Sequence, residues 1–469
     1  VVVVIDFMNM KTNLNLAQIC LLAMALWQTP ITQAQPIVTR IAAGQEFSVL
    51  LKSDGSLWTM GDNQFGELGT GPGISRTNRP QQIVSNNVTT IAAGGYFCLY
   101  VKSDGSLWGM GDNEGNQLGN NISTETNLPE RIVLGTAPSV SAIAGAFDYS
   151  LFLDSQGTLW GTGDNAYGNF GNGTNHNTTI PEQLPTASVK AIAVGYISYT
   201  EHTLYLKSDG SLWATGDNEH GQLGDGTYNE TNRAEQIEPA NVTAIAAGGE
   251  FSLFLMNNGS LWAMGRNDSG QLGDNTTNLT ANTPEIIVSN GVTAISAGLQ
   301  HSLFIKSDGS LWAMGNNQYG QLGDGTYNAS TNVPEMIVSN GVTVISAGGA
   351  HSLFLKSDGS LWGMGFNVYG QLGDGTANVS TNRPEQILAG SSVPPGYDQI
   401  SGQFLSGGSV RLSFIGLAGT NYALDRSFSL TPALWVAQLT NTAGAGGVLI
   451  FTNAPALATN NFWRIHSVP

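Results

Sequence analysis

From about residue 37 to residue 390 the chain alternates short apolar runs with clusters of Gly, Asn, Asp and Ser, and the alternation has a long period. Trp58, Trp108, Trp160, Trp213, Trp262, Trp312 and Trp362 are spaced by 50, 52, 53, 49, 50 and 50 residues, each in the same local context. The clearest copy runs from Gly341 to Thr376, GVTVISAGGAHSLFLKSDGSLWGMGFNVYGQLGDGT, and closes a few residues later with RPEQIL. Self-similarity at a fixed period is the signature of a repeat architecture.

Each copy holds four strand signals. In the last they are Val342–Ile345, Ser352–Lys356, Leu361–Met364 and, after Pro384, Glu385–Leu388. Asp358-Gly359 predicts a two-residue hairpin turn between the second and third strands, because both residue types tolerate positive φ. Equivalents recur in every copy except the third, which reads Asp154-Ser155-Gln156-Gly157. Seven such units cannot extend as one open sheet, whereas radial blades hide the sheet edges and bury both faces of each blade. Unbroken apolar second strands such as Leu303-Phe304-Ile305 fit that burial. The expected fold is all-β: a seven-bladed β-propeller of roughly 50-residue repeats over 35–390, followed by a small β-sandwich. The seven tryptophans are expected in its core, where truncation costs about 3–5 kcal/mol.

The repeat AGGxxHSLFLKSDGSLWxMGxNxxGQLGDGT resembles that of the regulator of chromosome condensation family, whose fold is a seven-bladed propeller. All seven copies carry the Trp, a Gly three residues after it and a Gly-Gln-Leu-Gly-like turn. The resemblance implies a fold more strongly than an activity. Founding members exchange guanine nucleotide on a small GTPase and bind chromatin through a basic tail, whereas one type of secreted bacterial relative binds an enzyme with one face of the disc.

Outside the repeats, Lys11 precedes an apolar run from Leu14 to Trp27, followed by Pro30 and the small-residue site Thr32-Gln33-Ala34. This reads as a secretory signal over 1–34, with translation starting at Met8 or Met10 and residues 1–9 mis-assigned in part. The competing reading is an N-terminal membrane anchor. Residues 391–396 are a linker by composition, and 397–469 carry the strand-like stretches of the tail. Tails of this pattern resemble modules at the ends of unrelated secreted bacterial proteins. Removing the leader takes Cys20 and leaves Cys98 alone, so no intramolecular disulfide is expected.

Composition narrows the function. Seventeen basic against 34 acidic side chains give a net charge of −17, with no Lys/Arg cluster. A chromatin or other nucleic-acid partner is therefore not expected, nor membrane insertion after processing. No HExxH, GxSxG, GxxxxGK[ST] or Cys/His ligand spacing is present, so no enzyme, cofactor or metal is predicted. The Asp residues of Gly-Asp-Gly-Thr read as turn chemistry, since each copy supplies about one carboxylate. His202, His301 and His351 share a column with Phe47, Phe97, Tyr149 and Phe251, so they read as structural.

Antiparallel chain direction places the turn between strands one and two and the loop between strands three and four on one side of the disc. That loop face is where the copies differ. Tyr96, Phe147, Tyr196 and Tyr199 are the candidate binding residues there, the alternative being that they fold back to cap the blade tops. The overall expectation is a secreted, monomeric, non-enzymatic bacterial propeller that binds an unknown protein through its loop face. A polysaccharide partner is the alternative, and a lyase or hydrolase a remoter one.

Overall fold

The computed structural model describes residues 36–133, 139–195, 197, 201–276, 278–377 and 380–390, together with the strand Ile5–Phe7 and six strands beyond residue 390. The chain divides into two units, 36–390 and the remainder.

The larger unit is the seven-bladed propeller. Every blade is one four-stranded antiparallel sheet in sequence order, drawn from a single repeat. Blade one comprises Val38–Ala43, Phe47–Lys52, Leu57–Asp62 and Arg76–Val84; blade seven comprises Val342–Ala347, His351–Lys356, Leu361–Gly365 and Thr381–Leu388. First strands line the central channel with small side chains, among them Ala42, Ala93, Ala144 and Ala246. The second strands are buried throughout, as their unbroken apolar runs require, because each face meets a neighbouring blade. The core is accordingly a set of inter-blade layers. Leu303, Ile305, Leu311 and Leu322 of blade six pack with Val342, Phe354 and Met364 of blade seven.

Lateral hydrogen bonds follow the same logic. The amide of Gly95 donates to Ala146 O (2.8 Å), and that of Gly349 donates to Gly44 O (3.0 Å) across the junction of blades seven and one. Each loop between strands three and four also bonds the fourth strand of the next blade, as Gly325 N does to Asn382 O and Gly375 N to Asn78 O. No strand is exchanged between the first and last repeats, so the ring closes by packing and by hydrogen bonds between blades, among them Ala43 N to Ser346 Oγ.

Glycine permits the close approach. A Cβ on Gly298 would lie 2.4 Å from the His301 ring and 2.6 Å from Gly348 O of the next blade. The glycine three residues after the tryptophan is held differently: Gly315 has φ 107°, and a Cβ there would lie 2.5 Å from Gln300 O.

Two expectations need correction. The Asp-Gly turn is a three-residue loop, not a two-residue one. Gly55 has φ 77° while Asp54 is not in the left-handed region, Gly55 N bonds Lys52 O, and Lys52 N bonds Ser56 O. This is a type I turn closed by a glycine bulge. The local reason is the carboxylate: Asp54 Oδ1 accepts from Ser56 N (2.9 Å) and Ser56 Oγ (2.6 Å), and Trp58 Nε1 donates to Ser56 Oγ (2.8 Å). The second correction concerns the tryptophans, which are half-buried in all seven blades instead of lying in the core. Their indole N–H is committed to this turn, and in five of the seven one ring face lies under a lysine, as with Lys207 Nζ 3.7 Å from the Trp213 centroid. The fully buried aromatic is its cross-strand partner, for example Phe304 stacked on Trp312 at 6.0 Å.

The smaller unit has two sheets. One orders Ile5–Phe7, Asn461–Val468, Asn421–Ser427 and Val436–Thr442; the other orders Ile400–Phe404, Val410–Ile415 and Val448–Asn453. Five of the tail strands overlap the stretches that the sequence marks, 410–415, 421–424, 434–439, 448–452 and 462–466, and Ile400–Phe404 is additional. Trp435, which the sequence places in the core of the tail with Phe451 and Trp463, lies outside the described residues.

Burial sets the energetic ranking. Phe304→Ala should cost about 3–5 kcal/mol, whereas Trp312→Ala should cost about 1–2 kcal/mol, for a stacked cation–π ring that water already reaches. Urea denaturation of both variants checks this, and equal losses would restore the tryptophan to the core.

Candidate functional site

The polar residues inside the blades divide into those used up by the fold and those left over. His202, His301 and His351 are completely buried, and each Nε2 lies 2.8–2.9 Å from a serine Oγ of the next blade: Ser252, Ser352 and Ser48. Those hydroxyls donate their single proton to the carbonyls of Gln222, Gln321 and Gln371, so the imidazoles must be the donors and carry hydrogen on Nε2. Burial drives their pKa down to about 3. These rings are neutral blade-to-blade struts, as their exchange with Phe implies. Cys98 is likewise buried, its thiol pushed up by the same loss of water.

The long loops are organised by an asparagine that the repeat places two residues after the glycine following the tryptophan. Asn317 Oδ1 accepts from Leu322 N (3.1 Å), while its Nδ2 donates to Asp324 Oδ1 (3.0 Å). Asp324 in turn accepts from Thr326 N and Oγ1. Asp225, Asp274 and Asp374 repeat the pattern. These carboxylates are consumed in turns, and among the described residues no group of three or more His, Cys, Asp or Glu is disposed to hold a metal.

On the loop face the structure brings together two of the four predicted residues. Tyr96 and Phe147 meet edge-to-face at 5.4 Å, and Phe65 of blade one packs on Tyr96 at 5.0 Å. All three are half-buried. Tyr196 and Tyr199 lie outside the described residues. Phe147 is positioned by the neighbouring blade, since its N–H and that of Asp148 both donate to Glu201 Oε1 (3.0 Å each). A second aromatic group, Tyr319, Phe366 and Tyr369, lies on blades six and seven, with contacts of 4.9 and 6.0 Å. Phe65 and Tyr319 stand at one recurring position of the long loops, two residues after the asparagine, where they pack between blades and also extend the aromatic surface.

Sequence reasoning missed a set of paired positions. In each blade the residue after the glycine that follows the tryptophan by three donates its N–H, at 2.8–3.0 Å, to the carbonyl of the residue before strand two. The pairs, donor second, are Glu46/Asp62, Tyr96/Asp112, Asp148/Asp164, Glu201/Asp217, Glu250/Arg266, Gln300/Asn316 and Ala350/Phe366. Aligning the copies by column would have exposed them, but Gly-Asp-Asn reads as turn chemistry on its own. Blades five to seven have self-sufficient pairs. Arg266 binds Glu250 and Asp268, Asn316 Nδ2 donates to Gln300 Oε1 (3.1 Å), and Ala350/Phe366 is apolar. Blades one and three put two carboxylates together, whereas in blade four Glu201 turns to Phe147, Asp148 and Asn169 and Asp217 to Gln222. Burial, reinforced by neighbouring charge, raises Glu46 next to Asp62, and raises Asp148 to about 6 next to Asp112 and Asp164. Burial also raises Asp217 to about 6.

Glu67 belongs to the same region. It occupies the Gln column of Gly-Gln-Leu-Gly, where Gln222 Nε2 donates to Asp217 Oδ2 (2.6 Å) and Gln321 Nε2 to Asn316 Oδ1 (3.1 Å). Glu67 is fully buried, accepts Phe65 N at Oε2 and has no hydrogen-bond partner at Oε1. Burial, with Asp62 and Asp112 adding to it, pushes its pKa up to about 8, so at neutral pH it carries the proton that a glutamine amide supplies elsewhere.

The chain is similar to several known proteins. The regulator of chromosome condensation (RCC1) repeat matches residues 54–101 and, in a second description, 38–67 and 88–117; the RCC1-like domain matches 200–412. The human E3 ubiquitin-protein ligase HERC2 is 27% identical over 219 residues, covering 44% of this chain and 4% of that protein. The Arabidopsis thaliana ultraviolet-B receptor UVR8 is 26% identical over 211 residues, covering 44% of this chain and 46% of the receptor. The chain thus spans less than half the length of either relative. Among solved structures, yeast RCC1 (Prp20) bound to Kap60 superposes with a TM-score of 0.64 at 21% identity, over 76% of this chain and 85% of that one. Human WBSCR16 superposes with a TM-score of 0.63 at 23% identity, over 71% and 94%. At these identities the likeness is one of fold.

The Glu67 assignment has a pH signature. Folded Glu67 holds a proton up to about pH 8 whereas the unfolded side chain releases it near 4.5, so its contribution to stability falls as pH rises between those values. Glu67→Gln removes this term. It should be nearly neutral at pH 5 and stabilising by on the order of 3 kcal/mol at pH 8. Denaturation midpoints across that range test it, and a gain independent of pH would mean that Glu67 is ionised throughout.

Proposed function

Because the chain carries RCC1 repeats on a seven-bladed propeller, we propose that it is a non-catalytic scaffold that binds a protein partner through its loop face. The observation that carries this reading is the Phe65–Tyr96–Phe147 contact, a set of half-exposed aromatic rings held on three consecutive rigid blades. Aromatic side chains anchored in this way provide contact area with little conformational entropy left to lose. The relatives support the class of function: yeast RCC1 is bound to a protein, Kap60, and HERC2 is a ubiquitin-protein ligase.

The proposed setting is extracellular and bacterial. Residues 1–34 act as a cleaved leader, and 397–469 form a β-sandwich tail. Cleavage before Gln35 removes the Ile5–Phe7 strand from the edge of the tail sheet. Amino-terminal sequencing of the protein recovered from a bacterial culture medium should begin near Gln35; an intact leader on all recovered protein argues for an anchor.

The binding face is tested by joint replacement of Phe65, Tyr96 and Phe147 with Ala. A partner captured by the immobilised wild-type chain from its host's culture supernatant should be lost, with folding verified by circular dichroism. Undiminished capture would remove the loop face from the function.

A further inference from the structure

The paired positions suggest what the partner presents. Blade five shows a completed pair: the Arg266 guanidinium sits against the Glu250 carboxylate, which is buried, and reaches Asp268 with its other nitrogen. Glu46/Asp62 of blade one and Asp148/Asp164 of blade three occupy the same positions on the same backbone hydrogen bond, but with an acid where blade five has its arginine. Asp62 is 5% exposed and feels the charge of Arg76 on the adjoining fourth strand, but among the described residues no salt bridge reaches Glu46, Asp62, Asp148 or Asp164. Holding like charges together with little solvation is costly unless a counter-charge arrives.

A second observation points the same way. The Glu67 Oε1, fully buried and beside Asp62 and Asp112, has no hydrogen-bond partner. At neutral pH this carboxyl holds a proton, and a cation arriving beside it would displace that proton and free the oxygen as an acceptor. Next to it stand the rings of Phe65, Tyr96 and Phe147, whose faces favour a cation.

The opposite face has no such excess. There Lys52, Lys102, Lys207, Lys306 and Lys356 lie over tryptophans, close in sequence to Asp54, Asp104, Asp209, Asp308 and Asp358, one base to one acid. Much of the uncompensated negative charge of the propeller is thus gathered on the loop face of blades one to four.

Resting on the protein-binding reading above, we propose that the Glu46/Asp62 and Asp148/Asp164 pairs receive arginine side chains of a basic polypeptide segment, each guanidinium taking the place that Arg266 fills in blade five. Arginine fits better than lysine because its planar fork can serve two carboxylates at once, as Arg266 does. Phosphate and nucleic acid are repelled by the same surface.

The test uses the full chain and a fluorescein-labelled hexa-arginine peptide, with binding read by anisotropy at physiological salt. The variant Glu46→Gln/Asp62→Asn/Asp148→Asn should bind about tenfold or more weakly. A rim variant of equal charge, Glu130→Gln/Glu235→Gln/Glu335→Gln on the fourth strands, should bind within about twofold of wild type. Asp62→Arg, which copies blade five and keeps the loop internally paired, should also lose affinity, so the outcome does not depend on the triple variant folding. Equal losses in the face and rim variants would reduce the effect to net charge and overturn the proposal, as would no measurable peptide binding. A partner captured by wild type, lost on replacing Phe65, Tyr96 and Phe147, and indifferent to Asp62→Arg would overturn the arginine recognition and leave protein binding through the loop face standing.

Discussion

The structure depends on how close one blade can come to the next. In six of the seven blades a glycine at the end of strand one leaves room for the aromatic or imidazole ring that follows it, and the carbonyl of the neighbouring blade fills the remaining space. In blade three Ala146 takes that position, beside Tyr149, whose hydroxyl reaches Thr203 at 2.7 Å. The rings then reach across to the next blade, by hydrogen bond where the ring is His or Tyr and by packing where it is Phe. Enlarging the glycine would displace backbone, not only a side chain, which is why the same small residue recurs at this place.

Rigidity at that contact passes directly to the loop face. Turns between strands one and two are bonded to each other around the channel, and the outer loops are clamped by an asparagine and then tied to the next fourth strand. A side chain on this surface is therefore fixed by two blades, as Phe147 is by Glu201. This arrangement lets buried acids persist in pairs: the backbone that carries them is determined elsewhere, and the carboxylates follow.

Much of this was legible in the sequence. The sevenfold spacing of tryptophan, the turn signals and the apolar second strands led to the architecture, and exchange of His with Phe correctly identified the imidazoles as structural. Other features depended on geometry that periodicity does not encode. Asp54 looks like a hairpin residue of positive φ until its carboxylate is seen capping Ser56. Trp312 looks like core because it is large and recurrent, yet its indole N–H needs the exposed turn and the buried position goes to Phe304. At the candidate site, Tyr96 and Phe147 could be chosen from the variable turns, but Phe65, a recurring loop aromatic, looks in the sequence like packing alone. The acidic pairs required knowing that residues sixteen apart in sequence, such as Glu46 and Asp62, share a hydrogen bond.

The ring closes without a strand from one terminal repeat completing the sheet of the other, so the junction between blades seven and one is chemically the same as its neighbours. Such a ring has no latch. Its number of units is set by the angle at which one blade settles against the next, and a lost or duplicated repeat would be felt as a small angular misfit shared among all the junctions.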